Sequence, residues 1–135
     1  MIALDDRVFV AGQIDPADLP AIAAAGVTLI VNNRPDDEET GQPVGAEIEA
    51  AARAAGLDYR HIPVAGGLSP DQVSAMTDAL DGAAGKTLAF CKSGTRSTWL
   101  WALARAGQGA DGAEIFAQAA RAGYDLSPLR SYLLR

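Results

Sequence analysis

The chain has 135 residues, a formal net charge of −6 and a single cysteine, with 49% hydrophobic residues. That length suits one domain with a true core, and the acidic balance, with no basic stripe, argues against a nucleic-acid partner. No apolar run approaches the roughly 20 residues that cross a bilayer, the N-terminus MIALDDRVFV is not a signal peptide, and one cysteine cannot form an internal disulfide, so a single soluble cytoplasmic domain spanning 1–135 is expected, with no membrane partner.

In chain order, residues 7–10 are a short strand candidate. Asp15 followed by Pro16 is a capped helix start, and that helix stops at Gly26. The run VTLIVN over 27–32 is apolar and β-branched, the pattern of a strand buried on both faces. A polar loop follows to Pro43, then a helix over about 44–55 closed by Gly56. Residues 59–64 form a third strand, and Ser69-Pro70-Asp71-Gln72 opens a helix to about Leu80. Thr87–Phe90 reads as a buried strand ending at Cys91, and Ser97 opens a further helix. Two more helices finish the chain, one begun by Asp111 and ended near Gly123, and one around 128–134. Strands separated by helices imply crossover connections. The expected fold is therefore α/β, a three-layer domain with a four- or five-stranded, mostly parallel sheet flanked by helices.

In such sheets ligands bind outside the carboxyl ends of the strands, which brings together the loops 33–43, 65–69 and 91–96. The last is the informative one. A strand, the polar and small residues Lys92, Ser93, Gly94, Thr95 and Arg96, and a helix N-terminus make an anion cradle of loop N–H groups and helix dipole. A thiol beside a helix N-terminus and an arginine is in the surroundings that favour the thiolate. Arg96 can grip two oxygens of an oxyanion at once. Gly94 permits positive φ or a close backbone approach. Ser97 could cap the helix and donate to a departing thiolate. Cys91 and Arg96 are therefore the candidate catalytic pair, with Lys92, Ser93, Gly94, Thr95 and Ser97 as candidate substrate-binding residues.

Arg34 could add a second positive charge at the pocket rim, or could pair within its own loop with Asp36 or Glu38. His61 reads as a hydrogen-bonded structural residue. Neither a second histidine nor a second cysteine exists to complete a zinc site, and no cofactor is expected. Trp99 and Trp101, two positions apart, face different sides of their helix, one toward the core and the other toward a pocket or contact surface.

The loop from Cys91 to Ser97 resembles the active-site loop of cysteine-dependent phosphatases and of rhodanese-type sulfurtransferases. Nearly the whole chain is similar to the phosphatase-like domain of beta-lactamase-hydrolase-like proteins, a bacterial group described as phosphatase or sulfur transferase. The matching stretches are Ala11-Gly12-Gln13, Asn33-Arg34-Pro35-Asp36, His61-Ile62-Pro63-Val64 and Cys91 through Trp101. The resemblance implies a cysteine-phosphatase-like fold and double displacement through a covalent cysteine intermediate.

The two chemistries differ in what they require. Four residues separate Cys91 from Arg96, the rhodanese length, whereas tyrosine and dual-specificity phosphatases carry five. The helical C-terminal third instead matches dual-specificity phosphatases. Phosphatases also supply an aspartate from a neighbouring loop, a contribution of roughly 10²–10⁴ in rate. The loop 65–69 has no acid, so Asp71, or Asp36, Asp37 and Glu38 on the other loop, are the alternatives, with Asp36 the candidate. The expected activity is phosphatase-like hydrolysis of a small anionic substrate or a phosphorylated protein. Sulfur transfer through a Cys91 persulfide is the alternative, and a silent anion-binding or interaction domain the third reading.

Overall fold

The computed structural model describes residues 1–134. Among them are five strands, β1 (Ile2–Ala3), β2 (Val8–Ala11), β3 (Val27–Asn32), β4 (Asp58–His61) and β5 (Lys86–Phe90). Six α-helices accompany them: α1 (Leu19–Ala24), α2 (Gly45–Ala54), α3 (Pro70–Gly82), α4 (Thr95–Gly107), α5 (Gly112–Arg121) and α6 (Arg130–Leu133). The sheet order is β1-β2-β5-β3-β4, with every pair parallel except β1 against β2. The protein is a single α/β domain of the expected class.

The alternation of side chains along each strand sorts the core into two layers. Ile30, Leu88 and Phe90 face one side and pack with Leu19 and Ile22 of α1 and Ile48 and Ala52 of α2. Val8, Val10, Leu29, Val31 and Ala89 face the other side and pack with Met76 and Leu80 of α3, Leu100 and Trp101 of α4, Ile115 of α5 and Leu133 of α6. Ala89 is the small residue on the central strand. Its size leaves room for Leu100 and Trp101, both fully buried, to lie against the sheet.

The run Val27–Asn32 forms the expected strand, and the Ser69 capping box opens α3, with the Ser69 hydroxyl accepting from Gln72 N–H at 3.2 Å. Three expectations are corrected. The strand expected over 59–64 ends at His61, because the Ile62 and Val64 N–H groups bond to Asn32 and Asn33 carbonyls as the chain leaves the sheet. The helix expected from Asp15 begins as a 3-10 turn over Pro16–Asp18 and becomes α-helical only at Leu19. The helix expected from Ser97 begins two residues earlier, with Gly94 as N-cap.

Candidate active site

The site is built at the carboxyl end of β5, the central strand, where both neighbouring strands also end. The Cys91 N–H still reaches the Ala11 carbonyl at 3.4 Å, after which the chain breaks from the sheet. The turn that follows is closed from below. A Cβ on Gly12 would lie 2.9 Å from the Lys92 carbonyl oxygen, and Gln13 N–H donates to that same oxygen at 3.2 Å. Gly12 is thus the close approach that lets the end of β2 seat the cradle. Gly94 has φ +93, a conformation unfavourable for any residue with a side chain, and turns the chain into α4. Its N–H donates to Cys91 Sγ at 3.1 Å, and Cys91 is fully buried. The thiol therefore lies within the mouth of α4 and is contacted by a backbone donor.

Two further contacts fix the loop. Tyr124, between α5 and α6, donates its hydroxyl proton to the Ser93 carbonyl at 3.0 Å. Burial first, and the charge of Cys91 second, hold the Tyr124 phenol above its ordinary pKa, so it remains a donor. Ser93 and Thr95 hydroxyls lie 3.1 Å apart on the outer rim. Ser97 is where the sequence reading fails. It sits in the first turn of α4, fully buried, and its hydroxyl donates to Asn33 Oδ1 at 2.8 Å. Neither a cap nor a bond to Cys91 is available to it in this arrangement. Asn33 in turn donates to the Ile62 carbonyl at 2.9 Å, tying together the ends of β3, β4 and α4. Nothing local in the sequence marks Asn33 for this role, since all its partners are distant in the chain.

Arg96 is placed in the first turn of α4, but its fork is occupied. Nη1 donates to Glu38 Oε2 at 2.6 Å and to the Val64 carbonyl at 2.8 Å, and Nη2 donates to Glu38 Oε1 at 2.9 Å. Arg34 shares that carboxylate, its Nε donating to Glu38 Oε1 at 2.9 Å while Nη1 donates to Gln13 Oε1 at 3.0 Å. Lys92 pairs with Glu39, whose second oxygen is 3.8 Å from Arg34 Nη2. The Glu38 carboxyl is lowered to about 2, by the Arg96 hydrogen bonds first and Arg34 after them, against a desolvation cost that acts the other way. Arg96 is raised by the same bond, with the Cys91 charge adding to it. Both readings of Arg34 meet here: it is tied within its loop to Glu38, and it lies beside Arg96.

The candidate acid Asp36 is engaged elsewhere. Its Oδ1 accepts from the Gly45 N–H at 2.8 Å and so caps α2, whose N-cap residue Val44 has no side-chain oxygen to offer. Asp71 lies exposed in the first turn of α3. Glu38 and Glu39 are the carboxylates paired with the cations of the site, and Glu38 is ionised. His61 Nε2 bonds the Arg34 carbonyl at 2.9 Å, as a structural residue would. Among the described residues no group of three or more His, Cys, Asp or Glu could hold a metal ion. Trp101 is the core tryptophan, and Trp99 lines a groove of about 820 Å³ between α3, α4 and the C-terminal turn, with Val73, Leu103 and Tyr132.

A buried cysteine at a strand end, a glycine-turned loop and an arginine on the following helix are thus brought together at one end of the sheet. The chain matches the family described as beta-lactamase hydrolase-like protein, phosphatase-like domain, over residues 1–108. It belongs to that family. A beta-lactamase hydrolase-like protein of Agrobacterium fabrum is 40% identical over 106 residues, which are 78% of this chain and 25% of that protein. The chain thus spans about a quarter of the length of the curated relatives it matches. The crystal structure of a candidate phosphatase from Neisseria meningitidis has a TM-score of 0.85 and 34% identity, covering 98% of this chain and 94% of that one. Another, from Shewanella putrefaciens, has a TM-score of 0.70 at 19% identity, covering 88% of each chain, and bears on the fold alone. The domain is phosphatase-like in family and in fold, and no helix among its described residues is long and apolar enough to cross a membrane.

Proposed function

We propose that the domain is a cysteine-dependent, phosphatase-like hydrolase in which Cys91 is the nucleophile and Arg96 the ligand of the transferred group. The observation that carries this reading is the Cys91 sulfur held 3.1 Å from the Gly94 N–H at the N-terminus of α4, with Arg96 projecting from the same turn. The Cys91 thiolate attacks phosphorus, the P–O bond to the leaving group breaks with its electron pair, and a cysteinyl phosphate forms. Arg96 and loop N–H groups stabilise the charge on the three equatorial oxygens. Water then attacks phosphorus, the P–S bond breaks, and phosphate and thiolate are regenerated. The phosphatase-like description of the family and the phosphatase name of the similar solved structure support the assignment.

Of the acids on the loop after β3, Glu38 is an anion held by Arg96 and Arg34, and Asp36 is engaged in capping α2. The leaving group therefore departs unassisted. Aryl phosphates, whose phenol leaving groups need little protonation, are the favoured substrates, and alkyl phosphates suffer the loss of the roughly 10²–10⁴ that a general acid supplies. The same observation, with the four-residue spacing from Cys91 to Arg96, favours a second reading. In sulfur transfer the thiolate attacks the outer sulfur of thiosulfate, sulfite leaves with the electron pair and needs no proton, and an acceptor thiol takes the persulfide sulfur. Small anionic substrates and phosphorylated proteins remain the proposed partners.

The test is the intact mass of the protein after brief, acid-quenched incubation with an aryl phosphate or with thiosulfate, with Cys91→Ser as control. A phosphoryl adduct or released phenol that vanishes in the variant supports hydrolysis. A Cys91-dependent sulfur adduct with no phenol release replaces the first reading with the second. Neither signal leaves the silent anion-binding domain.

A further inference from the structure

We propose that Glu38 and Glu39 occupy a two-part anion site, and that the substrate which displaces them carries two neighbouring phosphoryl groups. The inference rests on the reading of Arg96 as the ligand of the transferred group. Three cations from separate segments converge on these two consecutive carboxylates: Arg34 from the loop after β3, Lys92 from the cradle, and Arg96 from α4. Glu38 is held by both Arg96 terminal nitrogens and by Arg34 Nε, which is how two guanidinium groups grip a single oxyanion. Glu39 sits on Lys92 and faces the Nη2 of the same Arg34.

Arg34 is the shared floor. It is only 4% exposed, and its Nη2 is buried with no hydrogen-bond partner. An unpaired donor on a buried charged group is costly, and here it points to the position of Glu39 without being satisfied by it. A phosphoryl group at that position brings three oxygens where the half-exposed Glu39 brings two, and can satisfy Nη2 and Lys92 together. One phosphoryl group would replace Glu38 alone and leave the Glu39–Lys92 pair in place. A diphosphoryl group, or phosphoryl groups on adjacent atoms, replaces both carboxylates, and the second group completes the bonding of Arg34.

The experiment is calorimetric titration of Cys91→Ser protein with inorganic phosphate and with pyrophosphate in metal-free buffer. Pyrophosphate is expected to bind about tenfold or more tightly than phosphate, as a second charge-assisted site allows. Adding Glu39→Gln tightens pyrophosphate more than phosphate, and adding Lys92→Ala brings the ratio of the two affinities towards one. A ratio within about twofold overturns the inference, as does a ratio that survives Lys92→Ala, since anion charge alone would then explain it. Absence of binding of either anion to both Cys91→Ser and Cys91→Ser/Glu38→Gln proteins overturns it as well. Aryl phosphate turnover by the Cys91 protein is measured beside these. Turnover without a pyrophosphate preference removes this inference alone, and preference without turnover removes the hydrolase reading alone.

Discussion

Glu38 shows how one side chain can set the electrostatics of a site without being conspicuous. It is one of four consecutive acids from Asp36 to Glu39, and their fates diverge through the backbone: Asp36 turns back to cap α2, Asp37 takes φ +63, and Glu38 is delivered to Arg96, 58 positions away. Its folded pKa of about 2 lies below the ordinary 4.5, so the anion is the form the fold stabilises. Its contribution is complete above about pH 5 and disappears as the pH falls from about 4.5 towards 2. Glu38→Gln is expected to lower stability at pH 7 by roughly 1 kcal/mol, discounted for solvent screening, and to converge on the wild type as the pH falls to about 2 and below. Urea unfolding of both proteins at several pH values measures this. A second expectation concerns Gly94, where an added Cβ would lie 2.2 Å from the Tyr124 hydroxyl oxygen at a positive φ. Gly94→Ala should cost about 1 kcal/mol or more for the backbone alone and should disrupt the Tyr124 contact to Ser93. The readouts are the unfolding midpoint and the rate of Cys91 alkylation, the second rising as the loop loosens. The strand–loop–helix arrangement that carries Cys91 and Arg96 was legible because it is local in sequence. The bond of Glu38 to Arg96 and the contacts of Asn33 and Tyr124 were not, because each acts on the cradle across 31 or more positions.

The elements divide in the same way. β3 is legible as an unbroken apolar run because a strand covered on both faces has no polar side to show. β1, two exposed residues added antiparallel to β2, carries no periodicity at all and is held by its ladder alone. α4 was read with its start at Ser97 because serine is a common cap, but a left-handed glycine can begin a helix without a side-chain bond. That shift of two residues buries Ser97 and directs its hydroxyl to Asn33. The two tryptophans of α4 separate core from surface. Trp101 is fully buried, and its Nε1 donates to Asp5 Oδ2 at 2.9 Å, while Trp99 is partly exposed on the groove. Trp101→Ala should cost about 3–5 kcal/mol and Trp99→Ala less than half of that, both read from denaturant unfolding.

At the scale of the whole molecule, the family match ends at residue 108, but the folded unit does not. Leu126, Leu129 and Leu133 are buried in the same core layer as Val31 and Trp101, and Tyr124 holds the Cys91 loop from that segment. A chain cut after residue 108 is expected to lose its sharp thermal transition and bind a hydrophobic dye, with far-ultraviolet circular dichroism retaining much of its strand and helix signal. The strand order has a further consequence, for synthesis. β5 lies between β2 and β3, so neither of those strands finds its inner partner until residues 86–90 have been made. A nascent chain shorter than this carries two open, apolar strand edges, the condition in which chains pair with one another. Since loop closure over such separations is slow, folding waits on the arrival of the strand that ends at Cys91. A pause that holds Lys86–Phe90 inside the ribosomal exit tunnel should therefore lower the soluble yield more than a pause after those residues have emerged.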